Sequence, residues 1–423
     1  LGITMTIVRK YYRAVYHRSP NNLNIVDLPM FIKDFSLSAV AAGIKYADRL
    51  DLGLIYSESP AVSAAVFTTN QVKAAPVVLS SERLKQGRCQ AVLINSGNAN
   101  ACTGEAGMEA AQKTARLAAD ALGIDEELVL VASTGVIGAP LNVDAFARNM
   151  QPLVDNLDPA HFDQVAEAIM TTDTVKKTVS TTVEIGGKEV RFMAMAKGSG
   201  MIMPDMATML AFVVTDAQIS APELKRALRE SVERTFNRIT VDGDTSTNDM
   251  VLVMANGTAD NPWIEDDRHE DYSTFQDTLE MLLKDLALKI VEDGEGATKC
   301  ITIRVCGAKE NEDAERMART VATSNLVKTA FYGEDANWGR IIMAMGKSGV
   351  KFKPDRVDIA FGDAVLVKDG VALGDEAEMR ASAVLKQRHF TVIIDLKEGA
   401  GCEEVYTCDF SVEYVKINAD YRS

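Results

Sequence analysis

The residues most able to do chemistry lie in one stretch, Lys197-Gly198-Ser199-Gly200-Met201-Ile202-Met203-Pro204-Asp205-Met206-Ala207-Thr208-Met209-Leu210. A Gly-rich loop passes a proline and enters an apolar run, Leu210–Val214, through Ala207-Thr208. A threonine hydroxyl is hardly ionised near neutrality and needs a base beside it. If the peptide bond before Thr208 is broken, the residue gains an α-amine with a pKa of about 7.7–8.0. That amine can take the hydroxyl proton, the arrangement of an N-terminal threonine nucleophile. Before the cut the same nitrogen is an amide and is no base, so catalysis by this route requires cleavage. The hydroxyl can make the cut itself by attacking the Ala207 carbonyl, giving an ester that water opens. A β-branched residue also simply suits the start of a strand. Spacing alone does not choose between these readings.

The elements around this stretch alternate. Val92–Asn95 reads as a buried strand running into the polar turn Ser96-Gly97-Asn98-Ala99-Asn100, and 105–121 follows with helical period. Leu128–Ala132 is a short strand ending at Ser133-Thr134-Gly135, where a glycine turn exposes N–H groups beside a hydroxyl. Thr182–Ala196 reads as a hairpin turning at Gly186-Gly187. Strands are expected at Leu210–Val214, Met250–Met254 and Ile301–Val305, and near 391–395 and 405–416. Helices are expected from Pro222 to about Arg238 and over Tyr272–Val291. The fold class is α/β with mixed sheets and many antiparallel hairpins.

Composition narrows the function. The chain has 423 residues and a net charge of −15, with 39 acidic against 26 basic residues in 208–423, which argues against a nucleic-acid partner. No apolar run approaches a membrane span. There is no GxGxxG after a strand and no P-loop, so no dinucleotide or nucleoside triphosphate is implied. The six cysteines form no CxxC pair and read as reduced, structural thiols of a cytoplasmic protein. The four histidines show no metal-ligand spacing, so neither zinc nor a histidine base is expected. Residues 1–24 carry Arg9, Lys10, Arg13 and Arg18 and no acid, a composition akin to a transit peptide without its serines. Residues 1–34 are read as a leader of uncertain order.

The Lys197–Leu210 segment closely resembles the self-cleavage site of the ornithine acetyltransferase family, the glutamate N-acetyltransferases of arginine biosynthesis. Further blocks carry the resemblance from about residue 35 to the end. They are Phe67–Asn70, Asn95–Ala101, Ser133–Gly138, Met170–Thr174, Val241–Asp249, Glu295–Lys299, Asp335–Arg340 and Asn418–Ser423. Asp205 departs from the pattern, standing where Asn is common.

The resemblance implies a self-cleaving N-terminal-threonine acyltransferase fold. It divides the chain into an α chain, 35–207, and a β chain, 208–423, with two cut chains assembling as α2β2. It implies Thr208 as nucleophile, cleavage between Ala207 and Thr208, and an oxyanion hole made by Thr134 and Gly135. It assigns substrate contacts to Thr171, Lys197, Thr208, Glu295, Asn418 and Ser423, with Thr172 an open alternative to Thr171. Lys197 suits a substrate carboxylate and Glu295 a substrate amine. Acetyl would pass from N-acetylornithine to Thr208 and then to glutamate, with ping-pong kinetics. No metal or cofactor is implied, although some members also use acetyl-CoA. The Asn95–Ala101 and Asp242–Asp249 loops are read as backbone-organising turns near the site. Two rival readings remain: a self-cleaving amidase or aminopeptidase that passes the acyl group to water, and an uncut binding protein.

Overall fold

The structure is a computed structural model, and it describes residues 31–45, 47–203 and 209–420. Pro204–Thr208, with the expected cleavage pair Ala207-Thr208, lies outside the described residues, as do most of the leader and Ser423.

The described residues form two mixed sheets. The first holds β1 (Phe35–Val40), β2 (Leu52–Phe67), β3 (Arg88–Asn95), β4 (Val129–Ser133), β5 (Lys177–Ile185), β6 (Lys188–Lys197), β7 (Leu210–Thr215) and β9 (Met250–Ala255). Their order is β4-β3-β2-β9-β7-β6-β5, with β1 paired to β2. The second holds β8 (Ile239–Thr240), β10 (Cys300–Ala308), β11 (Asp358–Phe361), β12 (Ala364–Lys368), β13 (Val371–Ala372), β14 (His389–Asp395) and β15 (Gly401–Cys408), ordered β13-β12-β11-β14-β10-β15-β8. Among the described residues no helix is long and apolar enough to cross a membrane.

β7 and β9 lie side by side in parallel, Leu210 opposite Met250, and every residue of both is buried. Continuous apolar runs of this kind suit strands covered on both faces. One face packs on helices Ala221–Arg234 and Glu270–Glu292 through Val213, Val253, Leu228 and Leu282. Phe192 of β6 meets Phe275 with ring centroids 5.3 Å apart, a contact worth about 0.5–1.5 kcal/mol beyond burial. The other face packs Phe212 and Leu252 against Leu130, Phe162 and Val165. The long helix starts at His269, whose ring accepts from the Asp271 amide, and carries Glu270 and Asp271 at its positive end. It delivers the chain to Asp293-Gly294-Glu295 at the site.

Three expectations are corrected. The strand expected over 405–416 ends at Cys408, and Val412–Ala419 is a helix. Ser411 starts it by accepting from the amides of Glu413 and Tyr414. Val412 and Val415 of this helix are 61% and 65% exposed. The helix expected to reach Arg238 stops at Arg234, and Phe236–Arg238 tightens into a 3-10 turn. Cys306 and Cys402 are disulfide-bonded rather than reduced. They are direct partners on antiparallel β10 and β15, a juxtaposition set by pairing across 96 residues. Cys89, Cys102, Cys300 and Cys408 are free.

Candidate active site

β3 and β4 run parallel, and their ends are locked together. The Ser133 hydroxyl donates to Asn95 Oδ1 at 2.7 Å, and the Thr134 amide donates to the Asn95 carbonyl at 3.0 Å. The Val136 amide donates to Gly97 at 3.3 Å. The amide between them, that of Gly135, has no partner among the described residues. Gly135 sits at φ +132°, and a Cβ there would stand 2.3 Å from the Gly97 carbonyl carbon. Only glycine fits this close approach. An N–H held on a rigid turn is what an oxyanion needs.

Thr134 comes together with Lys197, the last residue of β6. Lys197 Nζ donates to Thr134 Oγ1 at 3.2 Å, which leaves the hydroxyl proton available. Lys197 is 8% exposed. Burial pushes its ammonium below the ordinary value, while Asp173, Asp249 and Glu295 favour the charged form. A buried cation of this kind is costly to pair poorly and recognises anions strongly.

Asp173 organises the floor. It accepts from Lys177 Nζ at 2.7 Å, from the Gly198 amide at 2.7 Å and from the Thr171 amide at 3.0 Å. Burial acts to raise its pKa, but Lys197 and Lys177 outweigh that and hold it at about 2. Lys177 also meets Asp293 at 2.5 Å, so one fully buried lysine joins the loop before β5 to the turn after the long helix.

Glu295 is 6% exposed and is held by Asn418, whose Nδ2 donates to Oε2 at 2.7 Å. The Ser199–Glu295 contact fixes the Gly-rich loop, with the Glu295 amide on the Ser199 carbonyl at 2.9 Å. A Cβ on Gly200 would stand 2.4 Å from the Glu295 carboxylate, so that glycine admits the acid. Ser411 Oγ donates to the Gly296 carbonyl at 2.6 Å, docking the C-terminal helix on the same turn.

The 242–249 loop closes the remaining side. Asp242 accepts from the amides of Met201 and Ile202 at 2.6 and 2.9 Å, and Thr245 donates to Met203 at 3.0 Å. Asn248 Nδ2 donates to the carbonyls of Ala99 and Ser133 at 2.6 and 2.9 Å, tying three loops. The turns expected in the Asn95–Ala101 and Asp242–Asp249 blocks are thus present.

A cavity of about 120 Å³ results, lined by Thr134, Gly135, Lys197, Met209, Glu295 and Asn418 among others. Thr171 and Thr172 both line it, so both remain contacts in reach. They also border a neighbouring cavity of about 170 Å³ that carries Lys45 and Arg49. Asp173, Lys177, Asn248 and Asp249 were given no individual role by the sequence, though all but Lys177 fall in blocks it singled out. Outside the cavity, Glu292, Cys300 and His389 bring three metal-ligating residue types within 4.8 Å of one another, a grouping that histidine spacing did not reveal.

A buried cation, an N–H without a partner among the described residues, a hydroxyl and a buried carboxylate surround one small cavity, a set that suits a small, charged reactant. The chain belongs to the ArgJ family, whose sequence model matches residues 36–423. It is 64% identical over 394 residues to the arginine biosynthesis bifunctional protein ArgJ of Desulfotalea psychrophila, covering 93% of this chain and all of that protein. Among solved structures it is similar to ArgJ of Bacillus halodurans at 45% identity and a TM-score of 0.47, covering 49% of this chain and 97% of that one. It is also similar to an ornithine acetyltransferase of Mycobacterium tuberculosis, solved with ornithine, at 41% identity and a TM-score of 0.38, covering 41% of this chain and 93% of that one.

Proposed function

We propose that the chain cuts itself between Ala207 and Thr208 and then moves acetyl from N-acetylornithine to glutamate through acetyl-Thr208. The observation that supports this most is that Thr134, Gly135, Lys197, Glu295 and Asn418 surround one cavity bordered by Met209, the residue bonded to Thr208. Family membership over nearly the whole chain supports transfer over hydrolysis.

The chemistry runs as follows. The freed Thr208 amine takes the hydroxyl proton, and Oγ attacks the acetyl carbonyl. The Gly135 N–H and the Thr134 hydroxyl stabilise the oxyanion, a contribution of about 2.7–4 kcal/mol per donor. The tetrahedral adduct collapses, the Thr208 ammonium gives its proton to the departing amine, and ornithine leaves. The glutamate amine then attacks the acetyl ester, and N-acetylglutamate departs as the hydroxyl is restored. Lys197 pairs with the substrate carboxylate. Glu295, oriented by Asn418, receives the ornithine side-chain ammonium. Thr171 or Thr172 and Ser423 complete the contacts.

No cofactor is required, since the acetyl group is recycled. Acetyl-CoA as a second acetyl donor, an α2β2 assembly and a cytoplasmic location belong to the same reading. The test is product analysis with N-acetylornithine, with and without glutamate. Transfer predicts N-acetylglutamate and parallel-line kinetics. Ornithine and acetate released at the same rate without glutamate would mean a hydrolase.

A further inference from the structure

Self-cleavage poses a problem that acetyl transfer does not. Before the cut, the Thr208 nitrogen is an amide and cannot accept the hydroxyl proton. Another group must do so, and it must stand beside Met209, because a peptide bond keeps consecutive Cα atoms about 3.8 Å apart.

Asp249 meets this condition. The Met250 amide donates to the Met209 carbonyl at 3.0 Å, and Leu210 pairs with Met250, so Met209 and Asp249 enter parallel strands side by side. Both line the cavity that also holds Thr134 and Lys197. Asp249 is 3% exposed, and its Oδ2 is buried with no hydrogen-bond partner among the described residues. Native proteins rarely leave such an atom unpaired, and the exceptions need a reason. Burial pushes this carboxyl well above the ordinary range, with a Ser246 hydrogen bond and Lys197 opposing. A carboxylate of raised basicity is a better proton acceptor near neutrality than an ordinary one. Of the other buried titratable groups on this cavity, Lys197 is a donor committed to Thr134, and Glu295 already accepts from Asn418.

We propose that Asp249 is the general base of the self-cleavage step, taking the Thr208 hydroxyl proton as Oγ attacks the Ala207 carbonyl. The Oγ–C bond forms, the C–N bond breaks, and Asp249 returns the proton to the departing nitrogen. The products are an Ala207 ester of Oγ and a free Thr208 amine. Water then opens the ester to the Ala207 carboxylate and the Thr208 hydroxyl. Asp249 therefore acts before the amine exists, and the amine takes over afterwards. This inference rests on the proposed cut at Thr208.

The test follows the appearance of two fragments on a denaturing gel after cell-free synthesis of wild type, Asp249→Asn and Thr208→Ala. Asp249→Asn should lengthen the half-time of cutting by about 100-fold or more, the usual contribution of a positioned base. Hydroxylamine, which opens esters, should not restore cutting, because the ester does not form. Cutting of Asp249→Asn at the wild-type rate, or its rescue by hydroxylamine, overturns the inference while leaving the cut at Thr208 standing. An uncut wild type overturns the cut itself. Thermal unfolding beside Thr208→Ala distinguishes a folded, uncut variant from a misfolded one. If Asp249→Asn misfolds, Asp249→Glu carries the test, since shifting the carboxylate by one methylene should slow cutting about tenfold or more. An unchanged half-time there overturns the inference equally.

Discussion

Asn418→Ala isolates the role of the C-terminal helix. Its side chain makes a 2.7 Å hydrogen bond to Glu295, across 123 residues of sequence. Glu295 is buried, so losing this partner leaves a carboxylate oxygen short of a donor and free to rotate. A hydrogen bond to a charged group contributes about 1.5–3 kcal/mol. If all of that orients Glu295 toward the substrate amine, kcat/KM for N-acetylornithine should fall roughly 10- to 150-fold. Self-cleavage should persist, because Asn418 touches neither Asp249 nor the 242–249 loop among the contacts described. Initial rates over a range of N-acetylornithine at saturating glutamate, with a gel of the same preparation, measure both. A variant that is cut normally, and whose kcat/KM stays within threefold of wild type, would refute the idea that Asn418 positions Glu295. A variant that loses stability but keeps kcat/KM would assign Asn418 to docking the helix instead.

Gly135→Ala places a Cβ 2.3 Å from the Gly97 carbonyl carbon, so the turn must shift and withdraw its N–H; kcat should fall by about 100- to 1,000-fold, and retained kcat in a folded variant would remove Gly135 from the oxyanion hole. Asp173→Asn leaves two buried lysines short of a counter-charge and should destabilise the fold by about 3–5 kcal/mol at neutral pH, read by denaturant unfolding. The folded pKa of Asp173, about 2, lies below its ordinary value of 3.8, so the unfolded chain takes up the proton first. The stability it supplies is complete above that ordinary value and is lost as pH falls toward 2, so the gap between wild type and variant should narrow by roughly 2 kcal/mol across that window. A gap that stays constant there would show that Asp173 does not supply it.

Much of the first sheet was legible because its strands announce themselves locally. Val92–Asn95, Leu210–Val214 and Met250–Met254 are short apolar runs bounded by turn residues, and Gly186-Gly187 marks the hairpin joining β5 to β6. Thr134, Lys197, Glu295 and Asn418 were named in advance through the family resemblance, and they share one cavity. What stayed hidden depends on distant partners. Lys177 follows Lys176 with nothing local to mark it for the interior, yet it is fully buried and meets Asp293, 116 residues later. Asp249 looked like one more polar loop residue, since burial at the end of a strand is not written in its neighbours. The Cys306–Cys402 bond reflects strand register, and the helix over 412–419 is begun by Ser411, which accepts from the amides of Glu413 and Tyr414.

The central claim is that one hydroxyl, on Thr208, both cuts the chain and carries the acetyl group. Mass spectrometry of the purified protein, incubated with N-acetylornithine without glutamate, tests it most directly. The account predicts two fragments in place of the 45.9 kDa chain, the second beginning at Thr208 and gaining a single acetyl group there. Thr208→Ala should give one uncut chain with no acetyl label. An intact wild-type chain, or acetyl found on a residue other than Thr208, would contradict it.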